Sequence, residues 1–474
     1  MHSDVLVIGA GSAGSVVAER LSADLSCAVT VLEAGPAPTD PGVGALIADA
    51  TVLPVGAASR LVQRYETTLT EHPPRRSAIV RGAVAGGSGA VNGGYFCHGL
   101  PADFDGWRLP GWSWAEVVPA FAAIETDLDF PQPPHGTTGP ITVRRTSGFE
   151  GGTADFVSAA TAAGYPWLAD LNAGGPDLPT GIGAVPLNVV DGRRMGPGAA
   201  FLTPALSRPN LRLASESRVR RLRFRGGRAV GVEVDGPAGG QYRTADRFVL
   251  TAGAIATAQL LLLSGVGDPA ALAAVGVECH TALAVGQRTS DHPEWVMPTQ
   301  WRTRTGRPVL EVVLSTADVE IRPYTGGFVA MVGDGGTGRP DWPHLGVAVM
   351  HPASRGRVAL RSADPDAPPR IEHRYDSAPS DVTALREGCA LAAELGRRMT
   401  VVGEPSWSTS QHLCGTAPMG VDGDPHAVVD PRGRLRGIEN VWVADGSVLP
   451  AITGRGVHAT IVMAAHRIAG FVAG

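Results

Sequence analysis

The amino-terminal stretch contains the feature that most limits how this chain can fold. Residues 4–8 (DVLVI) form an apolar run of strand length, and Gly9-Ala10-Gly11-Ser12-Ala13-Gly14 follows it directly. A helical stretch then runs to about Leu21, and a second apolar strand follows at Val29–Leu32. A strand, a glycine-rich turn, a helix and a second strand predict a βαβ unit that opens a parallel sheet.

Each residue of this motif has a physical role in binding a dinucleotide. Gly9 makes the tight turn, Gly11 lets the backbone approach a pyrophosphate, and Gly14 permits close helix–strand packing. The unpaired N–H groups and the dipole of the helix favour phosphate charge. Glu33, at the end of the second strand, can accept hydrogen bonds from a ribose diol, and its charge disfavours a 2′-phosphate. The motif alone fits FAD and NAD equally well.

Composition limits the class of protein. A chain of 474 residues with 44% hydrophobic residues suits two closely connected domains. The net charge of −5 gives no basic surface for nucleic acid, which we exclude as a partner. The five cysteines are widely separated and never form a CxxC spacing, which argues against a disulfide framework or a zinc ribbon.

Two apolar stretches resemble export or membrane signals but are interpreted otherwise. The amino terminus has Asp4 and no basic region, so we do not expect a signal peptide. Residues 248–267 carry no charge, but Gly253 and the Ser264-Gly265 pair divide them into a strand, a turn and a buried helix. No transmembrane segment is expected. The expected location is the cytoplasm, with peripheral association at the inner membrane face left open.

The rest of the chain predicts a domain inserted into the nucleotide-binding domain. Alternating segments from residue 210 to residue 250 predict antiparallel strands, and residues 295–410 predict a separate antiparallel sheet followed by a helix from about Asp381 to Arg398. A closing helix is expected from about Ala459. The nucleotide-binding domain is expected at residues 1–150, 205–288 and 411–474, with a connecting segment at 151–204 and the substrate domain at 289–410.

Two glycine-rich segments carry a family resemblance. Residues 81–93 (RGAVAGGSGAVNG) resemble the first signature of the glucose–methanol–choline (GMC) oxidoreductases, and residues 253–267 (GAIATAQLLLLSGVG) resemble the second. Further pieces similar to the family stand in the expected order along nearly the whole chain. They are Asp103–Trp107, Gly111–Ser113, Arg208–Leu211, Asp291–Pro293, Ser354–Gly356, His412–Gly420 and Val441–Ser447.

The resemblance implies fold, cofactor and reaction. The expected fold is α/β: a discontinuous Rossmann-like FAD-binding domain of the GMC type with an inserted α+β substrate domain on an antiparallel sheet. The expected reaction is hydride transfer from an alcohol carbon to flavin N5. The expected FAD-binding residues are Gly9, Gly11, Ser12, Ala13, Gly14, Glu33, Ala34, Arg81, Gly86, Gly87, Ser88, Asn92, Gly93, Val219, Gly253, Asp445, Gly446 and Ala459.

Several of these positions have a plainer interpretation. Residues 86–93 could form an ordinary surface loop, Val219 could be strand core, and Asp445 could cap a helix. Val91 stands where members with histidine-linked flavin have that histidine, so we expect noncovalent FAD. Ala258 replaces the usual Pro or Ser of the second signature, and the region around 300–345 is shorter than in many members.

Two histidines match the catalytic positions of the family. His412 matches by its spacing to Gly415-Thr416, and His458 matches the position where the family uses His or Asn. A neutral imidazole can accept the hydroxyl proton while the second orients the hydroxyl or stabilises alkoxide character. The residues leave open which is the base, and the resemblance favours His412. His98, His292 and His351 are expected to brace loops, and no metal site is expected.

The leading hypothesis is an FAD-dependent alcohol dehydrogenase. The short length and high Ala, Gly and Arg content resemble actinobacterial members associated with the redox cofactor mycofactocin, which implies a reduced carrier as substrate and respiration as the electron sink. A small alcohol or choline is the simpler substrate. An oxidase, a flavin-containing lyase on the same fold and a non-enzymatic flavoprotein remain as alternatives.

Overall fold

The largest hydrophobic core is built around a sheet that starts at the amino terminus. The computed structural model of the protein describes residues 2–175, 178–301, 306–327, 341–396 and 401–474. From one edge to the other, the strands of this sheet are Leu211–Ala214, Val29–Leu32, His2–Ile8, Gly239–Leu250, Arg228–Gly236 and Arg218–Arg225, and Val441–Val443 also pairs with Gly239–Leu250. The predicted α/β fold is confirmed.

The parallel part of this sheet positions the site. The strand His2–Ile8 lies between Val29–Leu32 and Gly239–Leu250, and Val441–Val443 adds a further parallel strand. The paired residues 5–8 and 248–250 of these strands are apolar because helices Ser12–Ser22 and His458–Ala473 pack against the sheet and each other. Their carboxyl ends meet at one edge, where ligands of open α/β sheets bind.

One strand direction was predicted wrongly. Leu211–Ala214 is parallel to Val29–Leu32, whereas its alternating pattern had suggested an antiparallel strand. Alternation reports that one face is exposed, but it carries no information on direction. The side-chain amide of Asn210 donates to the carbonyl of Cys27 over 2.9 Å and so fixes the two strand starts side by side. The strands between residues 218 and 250 do pair antiparallel.

A second sheet forms a separate core. Its strands in order are Ser406–Thr409, Pro293–Pro298, Pro343–Val349, Val319–Gly327, Val312–Ser315, Gly181–Ala184 and Trp167–Leu168, and only the last pair is parallel. Helices Gly151–Ala162 and Pro379–Leu395 pack on it through residues such as Phe156 and Leu385. The predicted antiparallel sheet is therefore present and also recruits residues before 205. The predicted helix end at Arg398 lies outside the described residues.

Smaller elements complete the fold. A long hairpin, Val62–Glu71 and Pro74–Gly82, pairs with Arg370–Glu372, which in turn pairs with Arg357–Ala359. The other strands are Glu125–Asp127, Ile141–Arg145, Pro186–Leu187, Val189–Val190, Arg193–Arg194, Val266–Gly267 and Thr281–Ala282, and the other helices are Val43–Ala48, Pro101–Trp107, Trp114–Ile124, Thr203–Ala205, Ala254–Leu263 and Pro269–Ala273. Within the described residues, no helix combines the length and apolar character needed to cross a bilayer.

Candidate active site

The first glycine-rich loop has the geometry that its three glycines require. Gly9 has a φ of 102°, and a Cβ added there would lie 2.7 Å from the carbonyl oxygen of Thr251. A Cβ on Gly14 would overlap the carbonyl oxygen of Gly9, because the helix packs directly on the strand. Gly11 begins the helix without a side-chain cap. The first-turn amides around Ser12 and Ala13 are therefore available to an anion.

Glu33 turns back towards this loop. Its carboxylate accepts hydrogen bonds from the backbone N–H groups of Ala10 and Gly35, each at 2.8 Å. Burial raises the pKa of Glu33, and the two N–H groups oppose this shift. Each carboxylate oxygen keeps a second acceptor site, so the residue can hold the loop and still accept a ribose hydroxyl. Ala34 beside it is exposed.

The second glycine-rich loop is bound to the first and is not an ordinary surface loop. The N–H of Gly86 donates to the carbonyl of Ala10 over 2.7 Å. Gly87 has a φ of 55°, and a Cβ on it would lie 2.6 Å from the Cα of Gly11. The hydroxyl of Ser88 accepts the N–H of Gly82 at 3.1 Å and closes the turn. A surface of small residues thus lies beside the N-terminus of helix Ser12–Ser22.

Asp445 does have the capping role considered as its plainer interpretation. Its Oδ1 accepts the N–H of Ser447 at 2.8 Å and caps the short helix Gly446–Val448. Its Oδ2 accepts the N–H of Gly253 at 2.8 Å and the hydroxyl of Thr257 at 2.6 Å. The carboxylate therefore connects the turn after strand Val441–Val443 to the start of helix Ala254–Leu263. Capping and proximity to a cofactor are compatible here.

Open space lies on the other side of these turns. A Cβ on Gly253, whose φ is 84°, would meet no atom within 4 Å. The hydroxyl oxygens of Ser447 and Thr460 are buried and have no hydrogen-bond partner among the described residues. Helix His458–Ala473 also begins without a side-chain cap, and Ala459 in its first turn is fully buried. Surfaces lined by glycine, buried hydroxyls with no partner and two helix N-termini with no side-chain cap are features that fit a dinucleotide with a pyrophosphate.

Val219 and Gly93 lie farther from these turns. Val219 is half-buried and pairs with Val234 in the antiparallel part of the first sheet. Ser217, two residues before Val219, donates its N–H to the carbonyl of Glu33 over 2.7 Å, which brings the start of this strand next to Glu33. Gly93 faces the side chain of Val309.

His458 touches both glycine-rich loops. Its Nε2 lies 3.4 Å from the hydroxyl of Ser12, and its Nδ1 lies 3.2 Å from the side-chain amide nitrogen of Asn92. The ring makes an edge contact with Phe96, with centroids 5.5 Å apart. Burial lowers the pKa of His458 to about 4. The imidazole is therefore neutral at neutral pH.

His412 is held by its neighbours through both backbone and ring. Its backbone N–H donates to Oδ1 of Asp291 over 2.8 Å, and its Nδ1 lies 2.8 Å from Nδ1 of His292. Burial, followed by nearby positive charge, lowers the pKa of His412 well below its usual range. A Cβ on Gly456 would lie 3.5 Å from Cε1 of His412, so this ring is next to the turn that carries His458.

The side chain of Arg81 contacts the segment that carries His412. Its guanidinium donates to Oε1 of Gln411 over 3.3 Å, and the same oxygen accepts the N–H of Val80. Gln411 has a φ of 64°, which is uncommon for a residue with a side chain. These contacts hold the backbone that presents His412.

The other histidines expected to brace loops divide into two kinds. His98 pairs with Glu125 at 2.9 Å and His351 with Asp103 at 2.7 Å, which are bracing roles. His292 contacts the candidate catalytic ring directly, which sequence reasoning missed. The signal is present in the sequence, because Asp291-His292-Pro293 is one of the pieces similar to the family.

A buried charged cluster lies apart from these turns. Nδ1 of His135 is 3.2 Å from carboxylate oxygens of Glu125 and Asp127, and its Nε2 is 2.8 Å from Asp170. Arg145 bridges Asp127 and Asp170. Glu125, Asp127 and His135 have the spacing of metal ligands, but Arg145 already pairs with Asp127. Burial disfavours the charged imidazole, yet hydrogen bonds to Asp170 and Glu125 raise the pKa of His135 to about 9.

Comparison with known proteins identifies the family. Family models described as GMC oxidoreductase match residues 3–294 and residues 352–465. This chain is a GMC oxidoreductase. Membership of the family implies FAD as the cofactor and alcohol CH–OH groups as the type of donor. The predicted resemblance is confirmed.

Relatives of this GMC oxidoreductase match it over essentially their whole length. An uncharacterized GMC-type oxidoreductase in the thcA 5′ region of Rhodococcus erythropolis is 41% identical, covering 100% of this chain and 99% of the relative. Pyridoxine 4-oxidase of Microbacterium luteolum is 31% identical, covering 97% of each chain. The crystal structure of pyridoxine 4-oxidase from Mesorbium loti superposes with a TM-score of 0.89 at 27% identity, covering 99% of each chain.

Proposed function

We propose that this GMC oxidoreductase oxidises an alcohol to a carbonyl compound, with His412 as general base and His458 as a hydrogen-bond donor to the substrate oxygen. The observation that carries this proposal is a pair of neutral imidazoles beside two glycine-rich loops that fit FAD. Bound FAD supplies the hydride acceptor. The residues of this chain must then bind the alcohol, accept its hydroxyl proton and stabilise the oxygen.

The donor role of His458 follows from its contact with Asn92. The Oδ1 of Asn92 accepts the N–H of Gly94 at 3.0 Å, so its amide nitrogen faces Nδ1 of His458. An amide nitrogen can only donate, so this contact favours an accepting Nδ1 and a proton on Nε2, although a ring N–H of His458 also bonds the backbone of Tyr95. A proton on Nε2 can be donated to an oxygen that gains negative charge.

The base role of His412 rests on its neutrality and its place. A neutral imidazole within hydrogen-bond reach of a hydroxyl accepts its proton, and such catalysis typically contributes about 10²–10⁴-fold. The alcohol loses this proton to His412 and a hydride from its carbon, which leaves the carbonyl product. A lowered pKa keeps the ring in its proton-accepting form over a wide pH range.

The proposed cofactor site uses the residues that surround the open space. The amides at Ser12 and Ala13 would hold the pyrophosphate of FAD, and Glu33 would hold its ribose. Gly86, Gly87 and Gly253 would leave room for its ring system, beside the first turn of the helix that contains Ala459. We propose noncovalent binding, which is supported by the buried aliphatic side chain of Val91 at the position of the flavin-linked histidine of other members.

The donor and the acceptor are proposed by class. The relatives named for pyridoxine favour a small alcohol, and a reduced carrier such as mycofactocin is the second candidate because of the composition of the chain. On the family resemblance alone we propose a dehydrogenase that passes electrons to a respiratory acceptor, although the relatives named for pyridoxine are oxidases.

Anaerobic mixing tests the proposal. The purified yellow protein is mixed with a panel of alcohols and a reduced carrier while the flavin absorbance is followed, and oxygen is then admitted. Bleaching by a donor supports alcohol oxidation, and slow return of colour in air supports a dehydrogenase. His412→Ala should keep the colour but slow bleaching about 10²–10⁴-fold, while the exposed control His426→Ala should not. Product formation without bleaching would instead indicate a lyase.

A further inference from the structure

The ring of His292 connects the ring of His412 to a main-chain carbonyl. Its Nδ1 lies 2.8 Å from Nδ1 of His412, and its Nε2 lies 3.0 Å from the carbonyl oxygen of Thr453. The two rings are perpendicular, with an interplanar angle of 90° and centroids 5.0 Å apart. His292 is fully buried. This geometry restricts where the protons of both rings can be.

The proton positions follow from the carbonyl of Thr453. A carbonyl oxygen can only accept, so Nε2 of His292 carries a proton. Burial, followed by the positive charge of Arg322, lowers the pKa of His292 to about 4, so the ring is neutral at neutral pH. A neutral imidazole has one protonated nitrogen, and Nδ1 of His292 is therefore an acceptor. The neighbouring Nδ1 of His412 must be the donor.

We infer that His292 is a positioning residue that fixes the tautomer of His412, with the proton on Nδ1 and the free electron pair on Nε2. The inference rests on the proposed function for its catalytic meaning, because an imidazole with a free electron pair at Nε2 is the form that accepts a hydroxyl proton there. Among the described residues, no hydrogen bond uses Nε2 of His412. That nitrogen is free to meet a substrate.

The backbone supports the same arrangement. Oδ1 of Asp291 accepts the N–H of His292 and the N–H of His412, both at 2.8 Å. Its Oδ2 accepts the hydroxyls of Tyr375 at 2.9 Å and Thr409 at 2.8 Å. One buried carboxylate thus fixes the two backbones whose rings meet. The nitrogen-to-nitrogen contact is consequently a property of the folded chain.

The complementary tautomers give the two catalytic histidines different tasks. His412 presents an acceptor at Nε2 because His292 takes the proton of its Nδ1. His458 presents a donor at Nε2 because Asn92 donates to its Nδ1. An alcohol hydroxyl between them would donate to His412 and accept from His458. The pair is therefore asymmetric although both residues are histidines.

A pair of substitutions separates this role from simple packing. His292→Leu fills the space but can neither accept nor donate, whereas His292→Asp can only accept when ionised. We expect His292→Leu to retain flavin and to bleach about 10²–10⁴-fold more slowly with alcohol, since the base is no longer held in its working tautomer. We expect His292→Asp to recover at least tenfold of that loss. In the pH dependence of bleaching by His292→Asp, the loss of rate at low pH should begin at a higher pH than in the wild type, because a carboxylate stabilises the charged ring of His412.

The tautomer itself is read by nitrogen NMR of the holoprotein with ¹⁵N-labelled histidine, with the signals of His412 assigned from the His412→Ala variant. The inference requires an unprotonated Nε2 and a protonated Nδ1 in the wild type. A protonated Nε2 in neutral His412 overturns the inference. It is also overturned if the flavin of His292→Leu bleaches at the wild-type rate, or if that of His292→Asp bleaches as slowly as that of His292→Leu. If His292→Leu loses its flavin, the ¹⁵N NMR spectrum of the wild type alone tests the inference. A wild type that no alcohol bleaches refutes the proposed function and leaves the NMR result unaffected.

Discussion

Replacing His135 by glutamine would remove a positive charge from among three buried carboxylates. The side chains of His135, Glu125 and Asp170 are 2%, 0% and 9% exposed, so solvent screens their interactions little. The pKa of His135 is about 9, compared with 6.5 for an ordinary histidine. One pKa unit corresponds to about 1.4 kcal/mol, so the protonated ring stabilises the fold by about 3 kcal/mol at pH 6.

The pH dependence of this loss has a definite sign. The folded pKa lies above the unfolded value, so the stabilisation is fully present below about pH 6.5 and disappears as the pH rises through about 9. The difference in stability between the wild type and His135→Gln should therefore be largest near pH 6. It should shrink steadily towards pH 9.5, where both side chains are neutral.

Thermal unfolding of the FAD-saturated proteins measures the effect. Unfolding entropy is about 2.1 cal/mol/K per residue, which gives about 1 kcal/mol/K for a chain of 474 residues. The expected loss thus corresponds to a Tm about 3 °C below that of the wild type at pH 6. His426→Gln is the matched control, because His426 is exposed and has no ion pair among the described residues. A Tm difference that is equal at pH 6 and pH 9.5, or that grows with pH, would refute the electrostatic reasoning.

Three further predictions concern the cofactor and the base. Gly87→Ala places a Cβ against Gly11 at a position with left-handed backbone, so the affinity for FAD should fall about tenfold or more. The control is Gly106→Ala, where the added Cβ meets no atom within 4 Å and FAD should bind normally. Flavin titration compares the two variants. The limiting rate of flavin bleaching should stay constant as the pH falls through 6.5, because the pKa of His412 lies well below its usual range, and a decline centred at or above 6.5 would contradict this. Hot acid precipitation should release all yellow colour, and colour retained on the polypeptide would disprove noncovalent FAD.

The amino-terminal half of the cofactor site was predictable because its signals are local. Gly9, Gly11 and Gly14 stand between a strand and a helix, and the structure shows a positive φ at the first and close helix–strand packing at the third. The strand Val29–Leu32 has the predicted bounds, and the final helix begins one residue before the predicted position. Steric requirements of this kind can be read from neighbouring residues alone.

The remaining features depend on contacts between distant segments. The direction of Leu211–Ala214 depends on Asn210 and Cys27, which are far apart in sequence. The contact of His292 with His412 joins residues 120 positions apart, and no spacing rule indicates it. The charged cluster around His135 was missed because its members belong to different strands and loops. Periodicity and motif spacing predict elements and local turns, but pairings of this range require the fold.

The hydrogen bonds of Asp445 have a consequence for the order in which this protein matures. They join the turn after residue 250 to the turn after residue 443, and the strand Val441–Val443 enters the parallel sheet only when the last part of the chain has been made. During synthesis the two glycine-rich loops near the amino terminus are therefore made long before the turn that contains Asp445. We therefore expect FAD to bind only after the strand Val441–Val443 has joined the sheet.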